Sequence, residues 1–211
     1  MSDDPPVFVV DDDIHVLDTV RCLLQHAGYT VHCFGNAKDF LEQLQPEQTG
    51  CLVTDLGMPD MDGLELQQRL RSMNSLLTVI VVTGKADVST AVRLMRNGAH
   101  ALLEKPYPVD QLLEAIKDAL ALSVLRGEVH MQRSSARRLL GLLDSDERQV
   151  IALAAEGLPN KAIAKRLALS PRTVDRRRQS SFNKLGIASV AGYTRLLSQA
   201  GEGEHPSSSQ L

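Results

Sequence analysis

Four groups of polar residues directly follow short apolar runs, or lie just past them: Asp11-Asp12-Asp13, Asp55, Thr83-Gly84 and Lys105-Pro106. Carboxylates, a hydroxyl and an ammonium are what phosphoryl transfer needs. A carboxylate can attack phosphorus, while a metal, a hydroxyl donor and an ammonium balance charge on the three equatorial oxygens in flight. Carboxylates drawn together repel unless a hard cation lies between them, and Mg2+ commonly takes one or two carboxylates plus waters and phosphate oxygens. Asp55 is then the candidate nucleophile, with Thr83 and Lys105 as the oxygen-binding pair. Each residue alone has an ordinary explanation. Asp12 or Asp13 could cap a helix, Asp55 could begin a turn, Thr83 suits a strand end, and Lys105 could be a solvated charge before a turn proline. Their common position at strand ends is what needs a functional reading.

The positioning elements are an alternation. The apolar runs are Pro6 to Val10, Thr30 to Phe34, Cys51 to Thr54, Leu77 to Val82 and Ala101 to Leu103. Between them, apolar residues recur at helical spacing: Ile14, Leu17, Val20, Leu23 and Leu24, then Phe40, Leu41 and Leu44, then Leu64, Leu66 and Leu70. Val88, Ala91, Val92 and Met95 follow, and last Leu112, Leu113, Ile116 and Leu120. Five strands alternating with five helices predict a doubly wound, five-stranded parallel sheet of flavodoxin-like type, whose ligand site lies at the carboxyl ends of the strands.

DDD at 11–13, TDLGMPDMDGLEL at 54–66, VVTGKAD at 81–87 and LEKPY at 103–107 resemble the receiver domain of two-component response regulators. The resemblance covers residues 5 to about 122. It implies that Asp55 accepts a phosphoryl group from a sensor histidine kinase, and that Asp11, Asp12, Asp55 and the backbone carbonyl of Gly57 hold Mg2+ or Mn2+. It implies that Thr83 and Lys105 bind phosphoryl oxygens and that Lys105-Pro106 is a cis peptide. Leu102 stands where this family commonly has an aromatic that swings inward with the hydroxyl, and a leucine could repack there. Gly57 and Lys85 resemble positions that tune phosphoryl lifetime, with opposing effects that leave the lifetime open.

A second chemistry-bearing set lies further on. Arg126 to Arg138 is polar and predicts a linker, assigned to 123–140 and partly helical. Four short helices should follow over 141–200. The first is announced by Asp144-Ser145-Asp146-Glu147, with Val150, Ile151, Leu153 and Ala154 inward and Gly157 as the stop. Asn160 to Leu169, Ser170-Pro171 to Leu185, and Ala188 to Gln199 are the other three, a helix-turn-helix pattern. At 100° per residue, Arg178, Ser181 and Leu185 fall within about 40° of Val174, whereas Arg172, Asp175, Arg176, Gln179 and Asn183 lie on the far side. Such residues can bond base edges or phosphates, and Arg and Gln pair bidentately with guanine and adenine.

LLDSDERQVIALAAEGLPNKAIAKRLALSPRTVDRRR and NKLGI at 183–187 resemble the LuxR-type DNA-binding domain. The resemblance implies a recognition helix at 172–184. Asp175, Arg176 and Gln179 would face bases, and Asn160, Lys161, Arg172, Thr173 and Lys184 would touch phosphates of double-stranded DNA. Ser181 stands where a large aliphatic usually packs, and a buried hydroxyl needs a partner. Arg177 replaces a frequent His and offers an extra phosphate contact.

Charge and composition agree with two unlike halves. Residues 1–122 hold 9 Lys/Arg and 18 Asp/Glu, or −9, whereas residues 123–211 hold 14 and 8, or +6. A basic half suggests a nucleic-acid footprint and an acidic half cations or basic partners. The 211 residues, 43% hydrophobic and without Trp, fit one or two globular domains. No run approaches the ~18 apolar residues of a membrane span, and Met1 to Pro6 lacks a basic signal start, so a cytoplasmic protein is expected with no membrane partner. Cys22, Cys33 and Cys51 show no disulfide or zinc spacing and are expected as small buried hydrophobes. The tail, 201–211, is expected to be disordered.

Together the halves resemble the NarL/FixJ subfamily of response regulators, which implies a phosphorylation-controlled transcription regulator. Phosphorylation would draw a homodimer together through Val88, Val92 and Arg96, with paired DNA half-sites as target and RNA polymerase as a further partner left open. Two alternatives compete. One is a phosphoryl sink whose helical domain lost DNA affinity, which weak packing at Ser181 would favour. The other is a phosphohydrolase, although no second acid/base residue or lid is evident in the sequence.

Overall fold

The computed structural model describes residues 5–84 and 87–202. Lys85 and residues 203–211 of the expected tail lie outside the described residues. The chain forms two compact units, Met1–Glu128 and Val129–Leu211.

The first unit alternates β1 (Val7–Val10), α1 (Ile14–His26), β2 (Val31–Phe34), α2 (Ala37–Gln43) and β3 (Cys51–Asp55). It continues with α3 (Gly63–Ser72), β4 (Thr78–Thr83), α4 (Val88–Arg96), β5 (Ala101–Glu104) and the start of α5 (Val109–Leu140). All neighbouring strands are parallel, in the order β2-β1-β3-β4-β5. The order reverses beside β1, so β1 and β3 diverge into the crevice where α/β sheets bind ligands.

Successive strand residues serve opposite faces. Phe8, Val10, Leu52, Val79 and Val81 pack with Phe40, Leu66 and Leu94 of α2, α3 and α4. Val7, Val9, Val53, Ile80 and Val82 pack with Leu17, Leu24, Leu112 and Ile116 of α1 and α5. Both faces are covered, which is why the strands read as nearly continuous apolar runs.

One expectation, that of three buried cysteines, needs correction, and two helices are defined more fully than spacing allows. The stretch 123–140, expected as a partly helical linker, is helical throughout, a continuation of α5, which runs unbroken to Leu140. Ser123 is wholly buried, its hydroxyl accepting from Gly50 N (2.8 Å) and donating to the Leu76 carbonyl (3.0 Å), while Ala136 and Leu140 enter the core of the second unit. Polar residues here are helix surface rather than loop. Of the cysteines only Cys51 is buried, and burial pushes its thiol pKa up; Cys22 is exposed and Cys33 half-buried. In α4 Leu94 is the buried residue, whereas Val88 is 82%, Met95 50% and Val92 43% exposed.

The second unit adds α6 (Ser145–Ala155), α7 (Asn160–Arg166), α8 (Pro171–Leu185) and α9 (Val190–Ala200) to the end of α5. Asp144 and Glu147 form a reciprocal capping box on α6; Ser170 caps α8, Pro171 opens it, and Gly186 ends it at φ 65°. Ile151, Leu185 and Tyr193 pack with Ala136 and Leu140, while Val150, Leu153, Ile163 and Val174 form a second cluster between α6, α7 and α8. Burying each such Leu, Ile or Val contributes about 1.5–3 kcal/mol, and α6 and α8 contribute to both clusters.

Candidate functional site

β1 delivers Asp11, which is buried, one residue past its end. Its Oδ1 accepts from Asp13 N at 2.9 Å, and Asp13 in turn caps α1 by accepting from His15 N at 2.8 Å. The cap role left open for Asp12 or Asp13 therefore falls to Asp13. Asp12 is exposed. β3 ends on Asp55 itself, where the chain turns and the Gly57 N–H donates to Asp55 Oδ2. A Cβ at Gly63 would stand 2.5 Å from the Asp55 carbonyl oxygen, so α3 can start this close behind Asp55 only on a glycine.

Thr83 closes β4 and is buried. Its carbonyl accepts from Lys105 N at 2.7 Å, which fixes the chain leaving β5 beside it, and the Lys105-Pro106 peptide is cis. From there the Lys105 ammonium spans the crevice, donating to Asp55 Oδ1 at 2.6 Å and Asp11 Oδ2 at 3.1 Å. Burial alone would lower the lysine pKa, but the hydrogen bonds it donates to Asp55 and Asp11 more than offset it and hold the ammonium above its ordinary value. Leu102 in β5 is half-buried against the α2–α4 side of the core. Tyr107 sits half-buried behind Lys105, and burial raises its phenol pKa. Sequence reasoning gave Tyr107 no role, and its only signal was proximity to the lysine.

Asp11, Asp55 and the Gly57 carbonyl are hard oxygen donors of the kind Mg2+ takes. Among the described residues no three metal-capable side chains converge, since Lys105 lies between Asp11 and Asp55 and Asp12 is exposed. The charge balance still suits a cation: one ammonium faces two carboxylates, with Asp12 adjacent in sequence. The edge thus sets two carboxylates against one ammonium at the carboxyl ends of the strands.

On α8, Arg172, Asp175, Arg176, Gln179 and Asn183 are exposed, while Val174, Ser181 and Leu185 are buried. The Ser181 hydroxyl donates to the Arg177 carbonyl at 2.9 Å, so the buried polar group is satisfied within its own helix. Several polar residues hold one another rather than standing free. Asn160 Oδ1 accepts from Arg178, whose guanidinium lies 5.8 Å from the Phe182 ring centre. Thr173 bonds the Ser170 hydroxyl at 2.8 Å, and Arg177 pairs with Asp146. Lys161 is exposed on α7.

Lys184 donates to Glu147 Oε2 at 2.7 Å, and Ser180 donates to Glu147 Oε1 at 2.7 Å. Glu147 also accepts from Asp144 N at 3.0 Å and is itself buried. Burial would raise its carboxyl pKa, but bonds from Lys184, Ser180 and Asp144 hold it below the usual glutamate value. Its capping role was visible in the sequence as the acidic helix start; its clasp on α8 was not.

Residues 7–117 match the response regulator receiver domain family, and residues 143–197 match the luxR family of bacterial regulatory proteins. The transcriptional regulatory protein FixJ of Azorhizobium caulinodans is 37% identical over 201 residues, 95% of each chain. The response regulator protein TmoT of Ectopseudomonas mendocina is 32% identical over 90% of this chain and 86% of its own. The solved structure of the response regulator StyR superposes with a TM-score of 0.83 at 38% identity, covering 93% of this chain and 99% of that one. No helix among the described residues is long and apolar enough to cross a membrane. With both halves matched in order over nearly its whole length, the chain belongs to the two-component response regulators of the NarL/FixJ subfamily, a receiver domain followed by a LuxR-type DNA-binding domain.

Proposed function

We propose that this chain is a cytoplasmic transcription regulator switched by phosphoryl transfer to Asp55 from a sensor histidine kinase. The observation that carries the reading is the Lys105 ammonium held between Asp11 and Asp55. In the transfer, an Asp55 carboxylate oxygen forms a bond to phosphorus while the phosphorus–nitrogen bond of the donor phosphohistidine breaks. The departing imidazole keeps the electron pair and takes a proton. Lys105 moves one bond from carboxylate to phosphoryl oxygen, and the Thr83 hydroxyl donates to another, closing β4 on the modified Asp55. Leu102 repacks behind it. Mg2+ or Mn2+, held by Asp11, Asp12, Asp55 and the Gly57 carbonyl, would neutralise phosphoryl charge.

The phosphorylated state then pairs two copies through α4, whose Val88 and Val92 are exposed apolar groups on a helix that also ends on exposed Arg96. Paired α8 helices read half-sites about 34–36 Å apart, or a multiple. Asp175, Arg176 and Gln179 face bases and Arg172, Thr173 and Lys161 the backbone, with Asn160 and Lys184 joining once they exchange their partners for phosphate oxygens. Driving such a switch from 1:99 to 99:1 takes about 5.5 kcal/mol of preference for the active state.

The test is binding to a random-site DNA library with and without acetyl phosphate and Mg2+, beside Asp55→Asn. A dyad-symmetric site bound more tightly after phosphorylation of the wild type alone is expected. No salt-sensitive DNA binding in either state would remove the transcription-factor reading. The phosphoryl-sink alternative loses its motive, because the Ser181 hydroxyl has its partner.

A further inference from the structure

We infer that the receiver unit carries a second binding site, an arginine-lined cavity of about 260 Å³ that takes a small organic anion bearing two phosphate groups. It lies where α3 and α4 end and β4 begins, at the opposite ends of the strands from Asp55. Arg71, Arg96 and Arg126 line it together with Gln67, Leu70 and Leu77.

The electrostatics are out of keeping with the surroundings. Residues 1–128 carry 19 acidic and 10 basic side chains, yet three guanidiniums share this cavity and none pairs with a carboxylate among the described residues. Arg71 reaches only the Arg96 carbonyl, at 3.4 Å. Arg71 and Arg96 stand in the last turns of their helices, where a cation is favoured anyway. Arg126 has no such reason: it lies in the interior of α5, whose backbone its neighbours hold against the sheet edge. Ser123 bonds Gly50 N and the Leu76 carbonyl, and α5 approaches so closely that a Cβ on Gly127 would stand 2.7 Å from Thr49 Cγ2. All three arginines are exposed at the cavity rim, where water screens their mutual repulsion and an anion entering the cavity would meet three cations at once.

The rest of the lining defines the ligand. Guanidinium forks match phosphate oxygens bidentately, and three of them balance a diphosphate rather than a single monoanion. Leu70 and Leu77 give an apolar wall for a carbon portion. Gln67 is buried; its Nε2 donates to the Leu94 carbonyl at 3.1 Å while its Oε1 has no partner, which suits a ligand O–H or N–H.

The test uses the full chain and isothermal titration with pyrophosphate, ADP and citrate. The basic second unit also attracts anions, so Arg71→Gln, Arg126→Gln and Arg176→Gln are measured alongside the wild type, each first shown to melt cooperatively. Saturable binding of pyrophosphate and ADP, weakened ~10-fold by Arg71→Gln and by Arg126→Gln but unchanged by Arg176→Gln, is expected for loss of one charge-assisted bond. Tighter ADP than pyrophosphate binding should disappear in Gln67→Leu. The site is refuted by absence of binding at ~1 mM, the low end of useful affinities. It is equally refuted if only Arg176→Gln weakens binding, or if citrate binds as tightly as pyrophosphate.

Discussion

The crevice around Asp55 gathers one residue each from the ends of β1, β3, β4 and β5, whereas the polar face of α8 presents Arg172, Asp175, Arg176 and Gln179 from one helix. The first arrangement exists only through sheet register: Lys105 reaches Asp11 and Asp55 because β5, β4, β3 and β1 are aligned in that order. The second exists wherever α8 is helical and docked. Convergent sites are therefore fragile at every contributing residue, and displayed faces are fragile mainly at what holds them from behind. Each substitution below probes that difference.

The largest effect should come from Asp55→Asn. An amide cannot accept the phosphoryl group as a carboxylate does, so acid-labile label from acetyl phosphate should vanish while folding and basal DNA binding persist. Mass spectrometry of the intact chain measures the label. Persistent labelling would mean that Asp11 or Asp12 serves as acceptor and that the convergence on Asp55 has been misassigned.

On α8, Arg176→Ala should cost about 1–3 kcal/mol in operator binding and relax sequence preference at one position if the side chain reads a base. A uniform loss across sequences, with a shallower salt dependence, would move Arg176 to the phosphate backbone. No loss at all would break the displayed-face assignment.

How much of this was legible in the sequence follows the same division. Strand positions and ends could be read because β1, β3 and β4 are buried on both faces and read as apolar runs, and because Gly28, Gly98 and Pro106 punctuate them. The face of α8 follows from period 3.6 alone. What spacing could not supply was the partner across space: Glu147 clasping Ser180 and Lys184, Arg178 holding Asn160, and Ser123 fastening α5 to the loops at Gly50 and Leu76. Periodicity also could not tell core from surface in α4. Val88, Val92 and Met95 make an apolar stripe as regular as a core face, yet they are exposed, because a stripe says that something covers it and not that its own domain does.

Glu147→Gln attacks the support behind α8. It removes the charge that Lys184 answers, and about 1–3 kcal/mol of stability should go with it. The wild type should also lose this contribution in acid. The folded carboxyl is held below its ordinary value, so the stabilisation is present above about pH 4.3 and lost as pH falls through the lower folded value. Denaturant melts from pH 6 to pH 3 should converge for the two proteins at the acid end, with a roughly constant gap at every pH as the contrary result. DNA affinity should fall less than stability, since Lys184 is freed rather than lost.

Ser181→Ala should do least. The hydroxyl is buried but bonds the Arg177 carbonyl four residues back, so removing it leaves no distant group unpaired. A buried carbonyl already within the helix ladder loses only a second, bent bond, and alanine gains helix propensity over serine. Stability should stay within about 0.5 kcal/mol of the wild type and operator affinity should be unchanged. A cost several times larger would mean that the hydroxyl supports α8 as Glu147 does. The displayed face would then depend on spatially scattered partners almost as heavily as the crevice around Asp55, and the contrast between the two sites would shrink to one of degree.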